Sequence, residues 1–274
     1  MNETRPLALL LTHGHAAGID DAAETVTRVA ERRNWDLSVF DGESDSIISG
    51  REPALCIVLG GDGTILRALR LGIGHEFPVF GINFGRVGFL AAAEAEEVEE
   101  AVDRALAGEI ELVDLPGLEV SWDGGSAIGL NDVGFSRRPH SGVAELSYRI
   151  ADEEVGRVRC DGLVAATATG STGYNLANNG PILAWGVAGY AVSYIAPHTL
   201  TARALVVAPD DVLEVVNHRS RDGVEIVVDG VEVGGLEPGM GAEVRFRSAM
   251  ASLAQLPGAN FYQRIREKFG HLAQ

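Results

Sequence analysis

The 274-residue chain carries 39 acidic against 22 basic residues, a formal net charge of −17, with 46% hydrophobic and 22% charged residues. This balance suits a globular chain with a substantial core, and it disfavours nucleic acid or an anionic membrane as partner, since both select basic patches. Two cysteines, Cys56 and Cys160, are too few for a disulfide framework, and no Cys/His spacing suggests structural zinc.

In chain order, residues 7–11 read as a buried strand, followed by a helix that Asp20 or Asp21 caps and that runs to about Arg33, with Ala23, Val26 and Ala30 at helical spacing. Strands at 37–40 and 54–59, a helix at 64–71 and a strand at 78–83 continue the pattern. An acidic helix at 94–107 turns Val98, Val102 and Leu106 inward. Alternating strands and helices predict a parallel sheet covered on both sides. From about Glu109 the helical period fades. Short β-rich runs follow at 118–122, 145–150, 204–208, 212–216, 224–228 and 243–247, several closed by turn pairs such as Asp229-Gly230. Closely spaced strands with Asp-Gly turns predict an all-β sandwich. The expected division is an α/β domain at 1–115 and a β-sandwich at 116–257, with a C-terminal helix at 258–274 packing back on the first. No apolar run approaches the ~20 residues of a membrane span, and the first residues lack a signal-peptide layout. With two apolar-flanked, reduced thiols, the expectation is a cytoplasmic protein.

Gly60-Gly61-Asp62-Gly63-Thr64 follows directly on the apolar run 54–59. A strand that runs into glycines and then a helix presents bare backbone N–H groups to an anion. Asp62 adds a carboxylate without bulk, able to take a proton from a hydroxyl, help worth roughly 10²- to 10⁴-fold. The combination points to phosphoryl transfer. Neither the longer G-x-x-x-x-G-K-[ST] loop nor a G-x-G-x-x-G after the first strand is present.

A second glycine-rich strand exit, 81–90, holds Asn83, Gly85 and Arg86. They line the same cleft if the carboxyl ends of the strands carry the ligand, or they form a plain turn into a domain-crossing strand. Arg67 and Arg86 offer forks that match phosphate oxygens, and equally read as solvated charges. Asn131-Asp132 places an amide beside a carboxylate in an apolar stretch, which is also an ordinary turn pair. In the segment 161–175, Asp161 precedes small apolar residues, and Thr169, Ser171 and Thr172 then crowd around Gly170 and Gly173. Hydroxyls at that density suit ribose, phosphate and amide recognition, and the Tyr174 ring can stack. His13, His15 and Pro197-His198 read as loop residues, and the acidic run 94–100 as a solvated helix face.

Taken together, Gly60 to Thr64, Asn83 to Leu90, Leu130 to Asp132, Asp161 to Asn175, Gly180-Pro181-Ile182, Pro197 to Leu200 and Asp229-Gly230 resemble the NAD kinase family in order and spacing over nearly the whole chain. The resemblance implies a Rossmann-like, phosphofructokinase-like α/β domain, a C-terminal β-sandwich, a site between them, and a homodimer or homotetramer. It implies transfer of phosphate from ATP or polyphosphate to the adenosine ribose 2′-hydroxyl of NAD, with Mg²⁺ accompanying ATP. Asp62 would act as base or orient that hydroxyl, with Gly61 and Gly63 near the transferred phosphate. Thr64, Arg67, Asn83 and Arg86 would complete the phosphate side. Asn131 and Asp132 would hold the adenosine end, Asp161 the nicotinamide side, and Thr169, Thr172, Gly173 and Tyr174 the rest of the dinucleotide. The family usually shows Thr-Pro-Thr-Gly-Ser-Thr-Ala-Tyr-Ser, whereas this chain has Ala168, Gly173 and Asn175 for the Pro, Ala and final Ser. A lipid kinase shares the first glycine motif, but the charge of −17 and the second half of the chain speak against it. A non-catalytic NAD(H)-binding regulator would not need Asp62 in its full context.

Overall fold

The computed structural model describes residues 5–12, 18–40, 51–85, 88–219 and 221–270. The chain divides into two compact units, Met1–Asp114 with Ala251–Gln274, and Leu115–Met250.

The first unit alternates strand and helix: β1 (Leu7–Thr12), α1 (Ile19–Arg32), β2 (Asp36–Phe40), β3 (Leu55–Gly60), α2 (Asp62–Gly72), β4 (Val79–Asn83), the two-residue β5 (Ala93–Glu94) and α3 (Val98–Leu106). β1 pairs with β2 and β3, and β3 with β4, all in parallel. β3 and β4 are buried at every position, as befits parallel strands covered on both faces. α1 buries Ile19, Ala22, Val26, Val29 and Ala30, and α3 buries Ala101, Val102, Ala105 and Leu106. All of these but Ile19 join Leu10, Ile57, Leu59, Phe80 and Ile82 in one core. The start of α1 departs from expectation. Gly18, in the left-handed region at φ +86°, stands at the cap without a side-chain bond, and Asp20 and Asp21 lie in the first turn, where their charges favour the helix dipole.

The second unit is built from β6 (Glu111–Trp122), β7 (Gly125–Gly129), β8 (Asp132–Arg137), β9 (Ala144–Ile150), β10 (Glu153–Cys160), β11 (Gly162–Ala166), the short α4 (Tyr174–Ala177), β12 (Tyr190–Ile195), β13 (Leu205–Val207), β14 (Leu213–Asn217), β15 (Val224–Val228), β16 (Val231–Leu236) and β17 (Gly241–Gln255). One antiparallel sheet runs β13-β12-β11-β8-β15-β16. A second layer is formed by β10, β9, β14 and the first part of β17, also antiparallel, with β6 and β7 as a hairpin. Phe135, Leu163, Tyr190 and Ile226 of the first sheet share one core with Leu146, Val158, Leu213 and Val244 of the second, which makes the unit a sandwich. The Asp229-Gly230 turn joins β15 to β16 with φ of +47° and +80°, the two positive values a type I′ hairpin requires.

β17 is longer than the run expected at 243–247. Its last residues, 251–255, belong to the first unit, where Leu253 pairs in parallel with Val79. The chain then forms α5 (Phe261–Phe269) in that same unit, capped by the Asn260 side chain, which accepts from Tyr262 N at 2.9 Å. The strand expected after residues 81–90 does not form. Only Ala93 and Glu94 pair, beside β4, because residues 89–91 spend their polar groups on side chains, as described below. Among the described residues no helix is long and apolar enough to cross a membrane.

The first unit depends on β3 as its central strand. Ile57→Ala, at a position that is 0% exposed, should lower stability by about 2–5 kcal/mol, read as a fall in the denaturation midpoint with an unchanged slope.

Candidate functional site

In the first unit, β3 ends at Gly60 and α2 begins at Asp62, so the turn between them has no room for bulk. A Cβ on Gly60 would lie 2.7 Å from the Thr64 side chain, and one on Gly85 would lie 3.0 Å from Gly61 Cα. The two glycine-rich strand exits are therefore in contact, as the pairing of Gly60 with Asn83 also requires. Gly61 caps α2 without a side-chain bond; its carbonyl accepts from Thr64 N and Ile65 N. At a helix start the amides of Asp62 and Gly63 have no intrahelical acceptor, the arrangement that receives an anion.

Asp62 is not the loose carboxylate its glycine neighbours suggest. Oδ2 accepts from Phe89 N and Oδ1 from Leu90 N, each at 2.9 Å. A carboxylate has about four acceptor positions, so one on each oxygen remains for a substrate hydroxyl. Asn83, expected to line the cleft, is 5% exposed. Its Nδ2 donates to Glu94 Oε2 at 2.7 Å and its Oδ1 accepts from Gly85 N at 2.9 Å. Its amide therefore shapes the glycine loop from below. Gly88, at φ +81°, passes so close that a Cβ would lie 2.6 Å from Asn83 Nδ2. Thr64 is buried over Gly60, and Arg67 is half-buried one turn further along α2. Arg86, His13 and His15 lie outside the described residues.

In the second unit, the Asp229 carboxylate accepts from Leu130 N, Asn131 N and Asp132 N at 2.8–3.1 Å. That bond set turns the 130–132 segment into β8. Thr167 then ties in the second motif, its hydroxyl donating to Leu130 O at 2.6 Å while accepting from Gly170 N at 3.1 Å. Gly170 lies so tightly on this segment that a Cβ would fall 2.0 Å from Asn131 O. Asn131, Asp132, Thr169 and Thr172 are thereby gathered at one end of β8 and β11. Thr172 Oγ1 donates to Thr169 O at 3.2 Å, and Gly173 and Tyr174 follow, both exposed, with Tyr174 at 46%.

Two polar atoms of this cluster, Asn131 Oδ1 and Thr169 Oγ1, are buried without a hydrogen-bond partner among the described residues. Beside them Asp132 is 8% exposed, and burial, reinforced by the neighbouring Asp229 charge, pushes its carboxyl up to about 7. Buried polar groups are rarely left unpaired in folded chains. An acceptor, a hydroxyl and a carboxyl that is part neutral near pH 7 match a ligand carrying both N–H and O–H groups.

Asp161 stands apart. Ala166 pairs with Asp132 and Gly162 with Ser136, so at about 3.3 Å per residue Asp161 lies roughly 16 Å along β11 from the cluster. Its carboxylate accepts from Arg137 Nε at 2.8 Å. Ala168 and Gly173 are accommodated locally, whereas Asn175 is satisfied only at Nδ2, its Oδ1 being buried without a partner among the described residues. Ala168 packs with Leu183 and Ala191. Asn175 is 0% exposed and donates to Ser171 O and Pro181 O. Gly180 has no room for a side chain, since a Cβ would meet Asn175 Oδ1 at 1.8 Å. Gly173 is exposed and not in the left-handed region. The two thiols are buried, with Cys56 pushed up to about 12 and Cys160 to about 11, burial being the main cause.

The structure has the fold of solved nicotinamide-dinucleotide kinases. It aligns with a yeast NADH kinase complexed with NADH at a TM-score of 0.84 and 20% identity, covering 100% of this chain and 90% of that one. It aligns with an NAD kinase from Archaeoglobus fulgidus in complex with ATP at a TM-score of 0.75 and 25% identity, covering 96% and 97%. Residues 46–110 match the ATP-NAD kinase N-terminal domain and residues 130–255 the ATP-NAD kinase C-terminal domain. The NAD kinase of Rhodopirellula baltica is 35% identical over 240 residues, 86% of this chain and 77% of its own. That of Symbiobacterium thermophilum is 37% identical over 222 residues, 79% of this chain and 78% of its own. The chain belongs to the NAD kinase family.

Two consequences are measurable. Gly170→Ala forces backbone apart and should cost about 1–3 kcal/mol or more, read as a fall in the denaturation midpoint. For Asp132, burial lifts the folded carboxyl to about 7, above the ordinary aspartate value of about 3.9. The folded state therefore holds more protons between roughly pH 4 and 7, and stability falls as pH rises through that window. Asp132→Asn should remove this slope, raising stability at pH 8 relative to pH 4 by up to roughly 4 kcal/mol.

Proposed function

We propose that this enzyme transfers the terminal phosphoryl group of ATP, or of polyphosphate, to the 2′-hydroxyl of the adenosine ribose of NAD, yielding NADP. The observation that carries the reading is Asp62, a carboxylate at the start of α2 held in one orientation by two backbone amides beside the free first-turn N–H groups of that helix. A bond forms between the ribose oxygen and the phosphorus, the bond to the leaving phosphate breaks, and the hydroxyl proton passes toward Asp62. Transfer of this kind asks the protein for positioning and charge stabilisation. Gly61 and Gly63 leave the backbone bare for the phosphates, and Thr64 and Arg67 stand on the same helix.

On the dinucleotide side, Asn131 and Thr169 supply the unsatisfied buried atoms that adenosine would pair with, Asp132 adds a buried carboxyl beside them, and Thr172, Gly173 and Tyr174 extend that surface. Asp161 serves the nicotinamide side in this reading, from its position at the far end of β11. Among the described residues no group of three or more His, Cys, Asp or Glu side chains is arranged to hold a metal ion. In this reading Mg²⁺ accompanies the substrate, on the ATP phosphates. This also eases the approach of an anionic substrate to a chain of net charge −17. A homodimer or homotetramer is part of the proposal, supported by exposed apolar side chains at and near the edge strand β13, Val206 at 51% and Leu200 at 93%. So is a cytoplasmic setting, supported by two buried, unpaired cysteines.

With NAD, Mg²⁺ and ATP, NADP formation is followed by coupling to an NADP-specific dehydrogenase. Asp62→Asn should lose on the order of 10²- to 10⁴-fold in kcat while NAD still binds. Wild-type turnover in that variant would refute the role assigned to Asp62.

A further inference from the structure

Residues 88–92 belong to no helix or strand, so side chains must set the direction of their peptide groups. One peptide group matters most. The N–H of Leu90 donates to Asp62 Oδ1, and the C=O of Phe89, on the same peptide, accepts from Arg264 Nη1 at 2.9 Å. Arg264, on α5, also donates to Ala91 O from Nη1 and to Gln255 Oε1 from Nη2. Gln255, 1% exposed, passes its own Nε2 to Leu90 O at 3.0 Å. All three carbonyls of residues 89–91 are thus held by one guanidinium and the amide it orients. Two of the amides are held by Asp62, and Ala92 N donates to Gly81 O at 2.7 Å.

Nothing in simple packing demands a guanidinium there. Burial disfavours its charge, and Asp62 is the strongest charge acting the other way. A cation at one end of a peptide and a carboxylate at the other polarise the group between them, and bonds in such a chain strengthen one another. The fork also presents donors in a fixed plane, so the peptide plane is fixed and the carboxylate orientation with it.

We propose that Arg264 is a positioning residue for Asp62, acting through the single peptide group that joins Phe89 to Leu90. The proposal rests on the NAD kinase reading with Asp62 at the reacting hydroxyl. It assigns the C-terminal helix a part in phosphoryl transfer rather than in packing alone.

The test is a double-mutant cycle on the full chain, with kcat and KM for NAD from NADP formation and NAD affinity from calorimetry. Arg264→Met should lower kcat on the order of 10- to 100-fold, the scale of a misplaced catalytic group, with KM and NAD affinity within about twofold. In the Asp62→Asn background the same change should cost nothing further, because the group it positions is gone. Arg264→Lys keeps the charge but not the fork; it should recover part of kcat, and it carries the same comparison if Arg264→Met does not yield folded protein. An equal fold-loss in both backgrounds, or a raised KM with unchanged kcat, would overturn the proposal. Absence of NADP formation by the wild-type chain would instead overturn the function, and this role with it.

Discussion

Two backbone amides, those of Phe89 and Leu90, hold both oxygens of the Asp62 carboxylate, and the geometry of the first unit around its glycine turn depends on that grip. It joins the start of α2 to a segment with no regular structure of its own. Because α2 leaves directly from the buried strand β3, the carboxylate is anchored to the sheet on one side and to α5 on the other, through Arg264. Charge-assisted bonds of this kind are shorter and stronger than neutral ones. They let a glycine turn carry a carboxylate in a fixed orientation, the condition that the proposed activation of a hydroxyl requires.

The second unit solves a related problem with another carboxylate. Asp229, on a type I′ hairpin, gathers three consecutive amides and so determines where Asn131 and Asp132 stand. Thr167 and Gly170 then bring the second motif onto the same backbone. The stabilising work is done by Asp229 and Thr167, while Asn131 Oδ1 and Thr169 Oγ1 are left without a partner among the described residues. A site that keeps polar groups dry and unpaired is less stable than one that satisfies them. That cost is offset when a ligand supplies the missing donors and acceptors.

The α/β character of the first part and the sandwich of the second were legible because parallel strands, amphipathic helices and Asp-Gly hairpins leave periodic or local marks. β8 and β11 were not, since strands buried on both faces lack alternation and their residues read equally as a small-residue turn. Among the site residues, Asp62, Asn131, Asp132 and Thr169 could be picked out by chemistry and neighbours. The roles of Asp229, Gln255 and Arg264 could not, because each depends on a partner with which no local pattern connects it, and the bond of Asn83 to Glu94 was hidden in the same way. Arg264 and Phe89 are 175 positions apart.

By itself the sequence determined the two architectures, the glycine turns and the family, all of which rest on local steric rules and short motifs in order. Only the tertiary structure decided how each carboxylate is held. Asp62 is clamped, Asp132 is buried and shifted toward neutrality, Asp161 is paired with Arg137 and Asp229 is spent on backbone. The physical reason is that a carboxylate's state is set by the donors, charges and burial around it, and those come from segments that meet only after the chain has folded.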